Sequence, residues 1–392
     1  MMTEEVLARL KDGEVLQGLD LPDLLLEKAV LGRAHLPECN LGGARFMGAE
    51  LQGSDLRGAC IDRGDLRYAN LCESNLEQSS LAGARLLHAR LDSAQLRAAD
   101  FSNSEVEKAS FETCELTETL WRDATLRDVD FSRATGLNQA TFAEADLQAV
   151  LFANLILLGL DFSDAYLRLV SFQDCSLCKL DFSGACLHRV TWQKASSEDA
   201  VFREAQFTDC IFNAGNFEGT DFVSARLERC DFRGAILWGS SFAKARIGAG
   251  CVWHDAILDC CNFERATCQA MDLSGASITR ASFVNANLNG ANLCGVKAHE
   301  VDFSGAEMAD AQLSGADLTS ARLAETDLRR TSLAGVVVPW GSLRHAHFTE
   351  ESLVGATLVG AASALTGREL ESTVVVDSTL AHELAGRQAS TE

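Results

Sequence analysis

The sequence repeats with a period of five residues, and this period limits the folds open to the chain more than any other feature. From position 41 to position 101 a Leu, Ile or Phe stands at every fifth residue, and a small residue stands two places before each of them. The residue just before the large one is often Asp or Asn, as at Asp55, Asn70 and Asp100. The repeated word is therefore Ala-(Asp/Asn)-Leu followed by two variable residues.

A period of five fits neither an amphipathic helix, with its period of 3.6, nor a strand, with its period of two. The chain must therefore turn a corner in every repeat, and four repeats close a square coil of about 20 residues. The large and the small residue then face the interior, and the other three positions face solvent. Successive coils stack at the β spacing of about 4.8 Å. The sequence thus predicts an all-β solenoid with a filled interior.

The register of the repeat runs from Leu21 to Leu358 with two one-residue shifts. We place the first shift at Ala134–Gly136 and the second between Trp253 and Ile257. This length predicts about 17 coils, which at the β spacing form a rod of roughly 80 Å.

Three segments are predicted from this register. Residues 1–20 form an N-terminal cap with a short helix at 3–11, where Val6, Leu7 and Leu10 provide an apolar stripe. Residues 21–363 form one continuous repeat domain, because no linker or change of composition interrupts it. Residues 364–392 leave the repeat and are predicted to cap the last coil or to dimerise. A monomer and a C-terminal homodimer therefore both stay open.

The net charge of the chain limits the classes of partner that it can bind. Lys and Arg number 34 against 56 Asp and Glu, which gives a formal net charge of −22. Phosphate contacts need a surplus of Lys and Arg, so we expect no direct binding to nucleic acid. An anionic membrane surface is disfavoured for the same reason. A basic protein surface is the better candidate partner.

The compartment is predicted from the N-terminus and the cysteines. The first residues carry neither the basic nor the apolar region of a secretory signal, and no apolar run is long enough to span a bilayer. The 14 cysteines show no framework of fixed loops, so we interpret them as buried thiols in a reducing cytoplasm.

Two sets of residues are predicted from the repeat. The interior set comprises large residues at core positions: Leu51, Leu56, Leu66, Leu71, Phe101, Phe162, Phe182, Phe222, Phe232, Leu288, Leu293 and Leu318. The possible partner-binding set comprises outward apolar and acidic residues: Ile156, Leu158, Ile236, Trp238, Asp161, Asp164, Asp181 and Asp221. Residues 20 apart stack, so the apolar members are expected on one face and the acids on another. The next face is expected to carry Arg168, Arg189, Arg226, Arg229 and Arg246. We expect these arginines to form salt bridges with acids on neighbouring sides.

No catalytic, metal or cofactor motif is found. Gly248-Ala249-Gly250 completes neither a dinucleotide fingerprint nor a P-loop. His345 and His347 lack a third ligand nearby, and Cys178 of a Cys-x-x-Cys pair points away from Cys175. A filled interior also offers no cavity for a substrate. We therefore expect a protein without enzymatic activity, metal or cofactor.

The word Ala-(Asp/Asn)-Leu-x-x, sustained over residues 21–358, resembles the pentapeptide repeat proteins. The resemblance implies a right-handed quadrilateral β-helix with short helical caps. It says little about function, because members of one fold serve unrelated roles.

The sequence leaves three functions open. The entry into the repeats, Leu10-Lys11-Asp12-Gly13-Glu14 and Leu16 to Leu21, resembles that of pentapeptide repeat proteins encoded beside type VI secretion spike proteins. This resemblance implies an adaptor that handles bacterial effectors. The alternative is a DNA mimic that binds DNA gyrase or topoisomerase, as some members of the family do in quinolone resistance. An immunity protein that binds one cognate toxin is the remaining possibility.

Overall fold

The structure, a computed structural model, describes residues 3–359 and 373–375. The chain forms two compact units, which we call unit 1 (Met1–Ser196) and unit 2 (Ser197–Glu392). In both units, described residues 20 apart pair in parallel, as Asp20 with Asn40 and Asp272 with Asn292. A new pair begins every five residues, so each coil has four sides. This arrangement confirms the predicted pentapeptide-type β-helix.

Few helices and few long strands are present in the described residues, because most sides of a coil contribute a single bridged residue. The helices are α1 (Thr3–Lys11), α2 (Glu350–Leu353) and a 3₁₀ helix (Trp340–Leu343). The strands of unit 1 are β1 (Glu105–Glu107), β2 (Thr125–Arg127), β3 (Asp146–Gln148), β4 (Ile156–Leu158), β5 (Tyr166–Arg168), β6 (Ser176–Cys178) and β7 (Cys186–His188). Those of unit 2 are β8 (Gln206–Thr208), β9 (Arg226–Glu228), β10 (Arg246–Ile247), β11 (Asp327–Leu328), β12 (Val337–Pro339), β13 (His347–Phe348), β14 (Thr357–Val359) and β15 (Thr373–Val375).

The strands pair with their counterparts in the next coil. In unit 1, β1, β2, β3, β5 and β7 pair in parallel in that order, and β4 pairs with β6. In unit 2, β8, β9 and β10 pair in parallel, as do β11 with β13 and β12 with β14. Strand β15 alone runs antiparallel, against β14. The rest of the predicted C-terminal cap or dimerisation segment, 364–392, lies outside the described residues, so its role stays a prediction.

A tight turn forms each corner, and we refer to it as the corner turn. In a representative case the N–H of Ala44 donates to the carbonyl of Leu41 at 3.0 Å, and Gly43 between them has φ of +70°. This is the type II pattern, in which the third residue has positive φ. Most corner turns place other residues there, such as Arg63 and Tyr68 at φ of 56° and 60°. The four-sided ladder must therefore overcome a local preference against left-handed backbone.

Two coils contain one extra residue. The bridge from Leu120 to Thr141 spans 21 residues and confirms the first shift, at Gly136. The predicted position of the second shift was wrong. Arg226 pairs with Arg246, but Asp231 pairs with Val252, so the extra residue lies in the loop Gly248–Gly250.

The five-residue count from Leu137 puts Val252 at a core position, and this accounts for the error in the second shift. The structure exposes 41% of Val252 and buries its neighbour Trp253 completely. A β-branched side chain and a Trp both suit a core position by size, so the sequence did not distinguish the two registers.

Aromatic rings fill two opposite sides of the interior over much of each unit. In unit 1, Phe142, Phe162 and Phe182 stack with centroids 5.1 and 4.8 Å apart, and Phe152 meets Phe162 edge-on at 6.0 Å. Stacked and edge-to-face rings both add to the free energy of burial. All twelve residues of the predicted interior set have at most 1% of their surface exposed. Helix α1 buries Val6 and Leu10 at the N-terminal end of unit 1.

Candidate functional site

The Asp and Asn residues before the core residues form hydrogen bonds that stabilise the fold. The acids of the predicted site must therefore be checked for the same bond. We call this place the bridge position, because its residue forms the β-bridge to the next coil. A side-chain oxygen there accepts the N–H of the residue two places on, as Asp100 does from Ser102 at 2.8 Å and Asn40 from Gly42 at 3.1 Å. The bond satisfies a corner-turn N–H that no ladder uses. Asp and Asn favour such local bonds to the backbone.

Three of the four acids in the predicted partner-binding set form this bond. In unit 1, Asp161 and Asp181 are bridged neighbours and accept the N–H groups of Ser163 and Ser183 at 2.9 and 2.8 Å. In unit 2, Asp221 accepts the N–H of Val223 at 2.9 Å and also pairs with Arg203.

Asp164 of unit 1 differs from these three acids. It is exposed and occupies the corner turn, at φ of 55°. The structure therefore brings Asp161, Asp164 and Asp181 together on unit 1, but two of these three carboxylates stabilise the fold.

Ion pairs between neighbouring coils compensate many of the other acids. Arg229 bonds Asp209 through Nε at 2.7 Å, and Arg330 bonds Asp310 at 2.7 and 2.6 Å, each across 20 residues. Within one repeat, Arg233 forms the same fork to Asp231, at 2.9 and 2.7 Å. Exposed pairs contribute little to stability one by one. They do neutralise much of the acidic surface locally.

The predicted apolar residues of unit 1 are exposed side by side. Strand β4 leaves 72% of Ile156 and 46% of Leu158 accessible, with Leu157 buried between them. The N–H of Leu158 donates to the side chain of Asn138 at 3.1 Å. The next coil on this side continues with Ser176 and Cys178, which are only partly exposed. The apolar area is therefore confined to one repeat.

The predicted apolar residues of unit 2 belong to a larger cluster. Ile236 and Trp238 expose 39% and 49% of their surface, and Ile236 bridges Ile257, which exposes 39%. We call Ile236, Trp238 and Ile257 the tryptophan patch. The prediction missed Ile257 because the misplaced register shift ran through it. With the shift at Gly248–Gly250, a count of 21 residues from Ile236 would have found it.

Acidic residues surround the tryptophan patch. The side of unit 2 that carries it has Glu198 and Asp199 two coils before Trp238, Glu218 one coil before and Asp259 one coil after. No Lys, Arg or His occupies an outward position in these four described repeats, 197–199, 216–219, 236–239 and 257–260. Gly239 at the adjoining corner has no atom of a residue other than its chain neighbours within 4 Å of where a Cβ would stand. The patch is an apolar centre with an anionic rim.

Burial lowers the reactivity of thiols in the interior. None of the 14 cysteines forms a disulfide, and burial raises the pKa of Cys114 to about 12. A thiol with so high a pKa carries almost no thiolate at neutral pH and is a poor nucleophile. Within the described residues, no three His, Cys, Asp or Glu side chains are placed to hold a metal ion. No helix in that part of the chain is long and apolar enough to cross a membrane.

Solved structures that match this chain share little sequence with it. A trypsin-treated form of QnrB1, a plasmid-mediated fluoroquinolone resistance protein, is 18% identical with a TM-score of 0.33, over 53% of this chain and 84% of that one. HetL from the cyanobacterium Nostoc sp. strain PCC 7120, described as involved in heterocyst differentiation regulation, is 20% identical with a TM-score of 0.16, over 83% and 98%. Values this low carry no argument about the fold or the function of this chain. No curated protein sequence matches significantly.

Family models match the repeats directly. The pentapeptide repeat region model matches residues 145–222, in both units. The model described as pentapeptide repeats (8 copies) matches four segments, at 26–62, 65–103, 261–297 and 299–335. Together the two models cover more than half of the sequence. The chain belongs to the pentapeptide repeat family.

Proposed function

We propose that this protein is a non-catalytic scaffold that binds another protein through the tryptophan patch of unit 2. The observation that carries the proposal is the exposure of Ile236, Trp238 and Ile257 at neighbouring outward positions. Outward positions of this repeat need no apolar side chain, since polar residues fill most of them. Clustered apolar exposure is typical of interaction surfaces, and Trp is enriched among the residues that dominate binding energy.

The chemistry of the rim specifies the partner further. Glu198, Asp199, Glu218 and Asp259 lie on the same side as the patch. The four repeats 197–199, 216–219, 236–239 and 257–260 hold no Lys, Arg or His at an outward position. A matching surface would bury an apolar side chain against Trp238 and place Lys or Arg against the rim. Complementary charge of this kind speeds association and selects the partner. A preformed coil stack would bind with little loss of conformational entropy.

The partner class we favour is an effector or spike protein of bacterial type VI secretion, for which this chain would act as an adaptor. The support is the sequence from Leu10 to Leu21, at the entry to the repeats. An immunity protein that binds one cognate toxin would use the same surface, and the identity of the partner separates the two.

DNA mimicry toward DNA gyrase is the second candidate, because the net charge is −22. The use of Asp161, Asp181 and Asp221 as turn caps, and the ion pairs between coils, weaken it. A supercoiling assay with purified gyrase tests it. We expect no inhibition and no relief of quinolone poisoning well above micromolar concentrations of this protein.

Affinity capture from the native cells tests the main proposal. The full chain serves as bait beside Trp238→Glu, and Ile211→Glu is the matched control. Ile211 is 41% exposed on another side of unit 2, so it receives the same charge outside the patch. Trp238→Glu should lose the partner, and purified partner should bind it at least tenfold more weakly, since an anchoring Trp contributes about 2 kcal/mol or more.

Three results of this experiment would distinguish an adaptor, an immunity protein and a partner that binds outside the tryptophan patch. A spike protein or effector retained by the control and lost by Trp238→Glu supports the adaptor role. A toxin with the same pattern supports immunity. A partner retained equally by the chain and by both variants would rule out the tryptophan patch as its site.

A further inference from the structure

Basic residues of unit 2 form a second candidate site, which lies on a different side from the tryptophan patch. Most described Arg residues of this unit form ion pairs with carboxylates. Within the described part of unit 2, the Arg and Lys residues that form none are Arg226, Lys244, Arg246, Lys297 and Arg344. Three of these five, Arg226, Lys244 and Arg246, belong to two adjacent coils. We call these three the cation cluster.

Arg226 and Arg246 are direct neighbours. They are register partners in the parallel strands β9 and β10, which lie about 4.8 Å apart. Both side chains are exposed on the same side, and Lys244 precedes Arg246 by two residues at the adjoining corner. Like charges directly opposite each other on adjacent strands destabilise a sheet. An anion bound between them would remove that cost.

The nearby carboxylates do not fill this role. On the same side, Asp209 and Glu228 both pair with Arg229, at 2.7 and 3.6 Å. The following coil offers Thr267, Gln269 and Ala270, which carry no charge. The expectation that these arginines would form salt bridges therefore holds for Arg229 and is wrong for Arg168, Arg189, Arg226 and Arg246.

The inserted loop Gly248–Gly250 adjoins the cation cluster and adds hydrogen-bond donors. In a regular corner turn the N–H of Gly43 donates to the next coil, to Asp62 O at 2.8 Å. In the inserted loop the N–H of Gly248 bonds the previous coil, and those of Ala249 and Gly250 have no partner among the described residues. Gly250 lies against the stem of Arg229, where a Cβ would come within 2.8 Å of Cγ.

We infer that the cation cluster and the loop Gly248–Gly250 bind a phosphate dianion, either free or as a small monoester. A guanidinium fork matches the oxygens of phosphate and of carboxylate alike. A single carboxylate already satisfies one arginine in this protein, as Asp231 does for Arg233. Three adjoining cations with additional N–H donors match a doubly charged anion with more acceptor oxygens. This inference is independent of the proposed protein partner.

Thermal unfolding and titration calorimetry of the full chain test the inference. The probes are inorganic phosphate and O-phosphoserine, with acetate as the carboxylate control, all at constant ionic strength. The variants are Arg226→Gln and Arg246→Gln. Arg233→Gln is the matched control, because its guanidinium already has Asp231. Phosphate or phosphoserine should raise the melting temperature of the unmodified chain and of the control, and the probe with the larger effect identifies the source of the anion.

The variants provide a readout that does not depend on a ligand. In dilute buffer without phosphate, Arg246→Gln should melt at the same temperature as the unmodified chain or higher, because one of two facing charges is gone. Its affinity for the probe should fall at least tenfold. The inference is overturned if neither probe binds at about 10 mM, if acetate binds as well as phosphate, or if both variants bind as the control does.

Discussion

At the scale of single residues, the bridge position explains the abundance of Asp and Asn. Most of these side chains cap a corner turn by accepting an N–H, and Asn40 forms the same bond as Asp100. The repeat made the frequency of these residues visible. The pattern does not reveal what these side chains do. The N–H that they accept lies two residues on, and only the folded corner turn leaves this N–H without a backbone acceptor. For that reason the acids of the predicted site were assigned to a partner.

Substitution of Asp181 separates the hydrogen bond from the charge. Asp181→Ala loses the bond from Ser183, 2.8 Å long, and should lower the free energy of unfolding by about 1 kcal/mol. Asp181→Asn keeps an acceptor oxygen and should stay within a few tenths of that of the unmodified chain. Urea unfolding measures both. Equal losses in the two variants would mean that the charge of Asp181 matters and its turn cap does not.

The Asp65–Arg67 pair predicts a dependence on pH. Two bonds of 2.7 and 2.6 Å from Arg67 lower the pKa of Asp65 below its ordinary value of 3.8. A carboxyl with a lower pKa in the folded state adds stability that is fully present above the unfolded pKa and is lost as the pH falls through the folded pKa. Asp65→Asn should therefore melt below the unmodified chain at pH 7, and the difference should shrink below about pH 4.

Asp123→Asn is the control for this pH series. Asp123 is exposed at a corner and forms no ion pair among the described residues. Its melting temperature is measured at the same pH values as that of Asp65→Asn. A difference for Asp65→Asn that is constant with pH would contradict the assignment of the pKa to Arg67.

At the scale of elements, each coil is held by its two neighbours, so damage should stay local. Phe162 is fully buried between Phe142 and Phe182, at 5.1 and 4.8 Å. Phe162→Ala should cost about 3–5 kcal/mol, as large cavities in cores do. Phe162→Leu should cost much less, because Leu41 and Leu81 fill the same position in other coils.

Hydrogen exchange shows where the damage from Phe162→Ala falls. Amide protection should drop in the coils that contain Phe142, Phe162 and Phe182 and be kept near Leu51, because repeat units contact only their nearest neighbours. A uniform loss over the whole of unit 1 would instead show that the unit opens as one.

The corner insertions mark the limit of prediction at this scale. Gly136 was identified because Leu137 resumes the pattern at once. The loop Gly248–Gly250 was missed because Ile247 and Val252 kept a five-residue spacing across it. Only the bridge from Asp231 to Val252 shows that Val252 faces outward. A spacing pattern tolerates such a slip wherever the residue at the false core position is also apolar.

At the scale of the whole molecule, the five-residue period was enough to predict the fold, because no regular helix or strand shares it. The binding surface was only half predicted. Ile236 and Trp238 were identified as outward apolar residues, but Ile257 and the acidic rim depend on the corrected register. The net charge of −22 remains a property of the sequence. The distribution of this charge over turn caps, ion pairs and the acidic rim of the tryptophan patch decides how the surface can bind.

Photo-crosslinking from the patch tests the central claim most directly. A benzoylphenylalanine placed at Trp238 would be irradiated in the native cells, with the same residue at the exposed Gln312 of unit 2 as control. We predict one discrete protein adduct from position 238, none from position 312, and a basic contact surface on the adduct partner. No adduct at 238, or the same adducts from both positions, would contradict the claim that this protein binds its partner through the tryptophan patch.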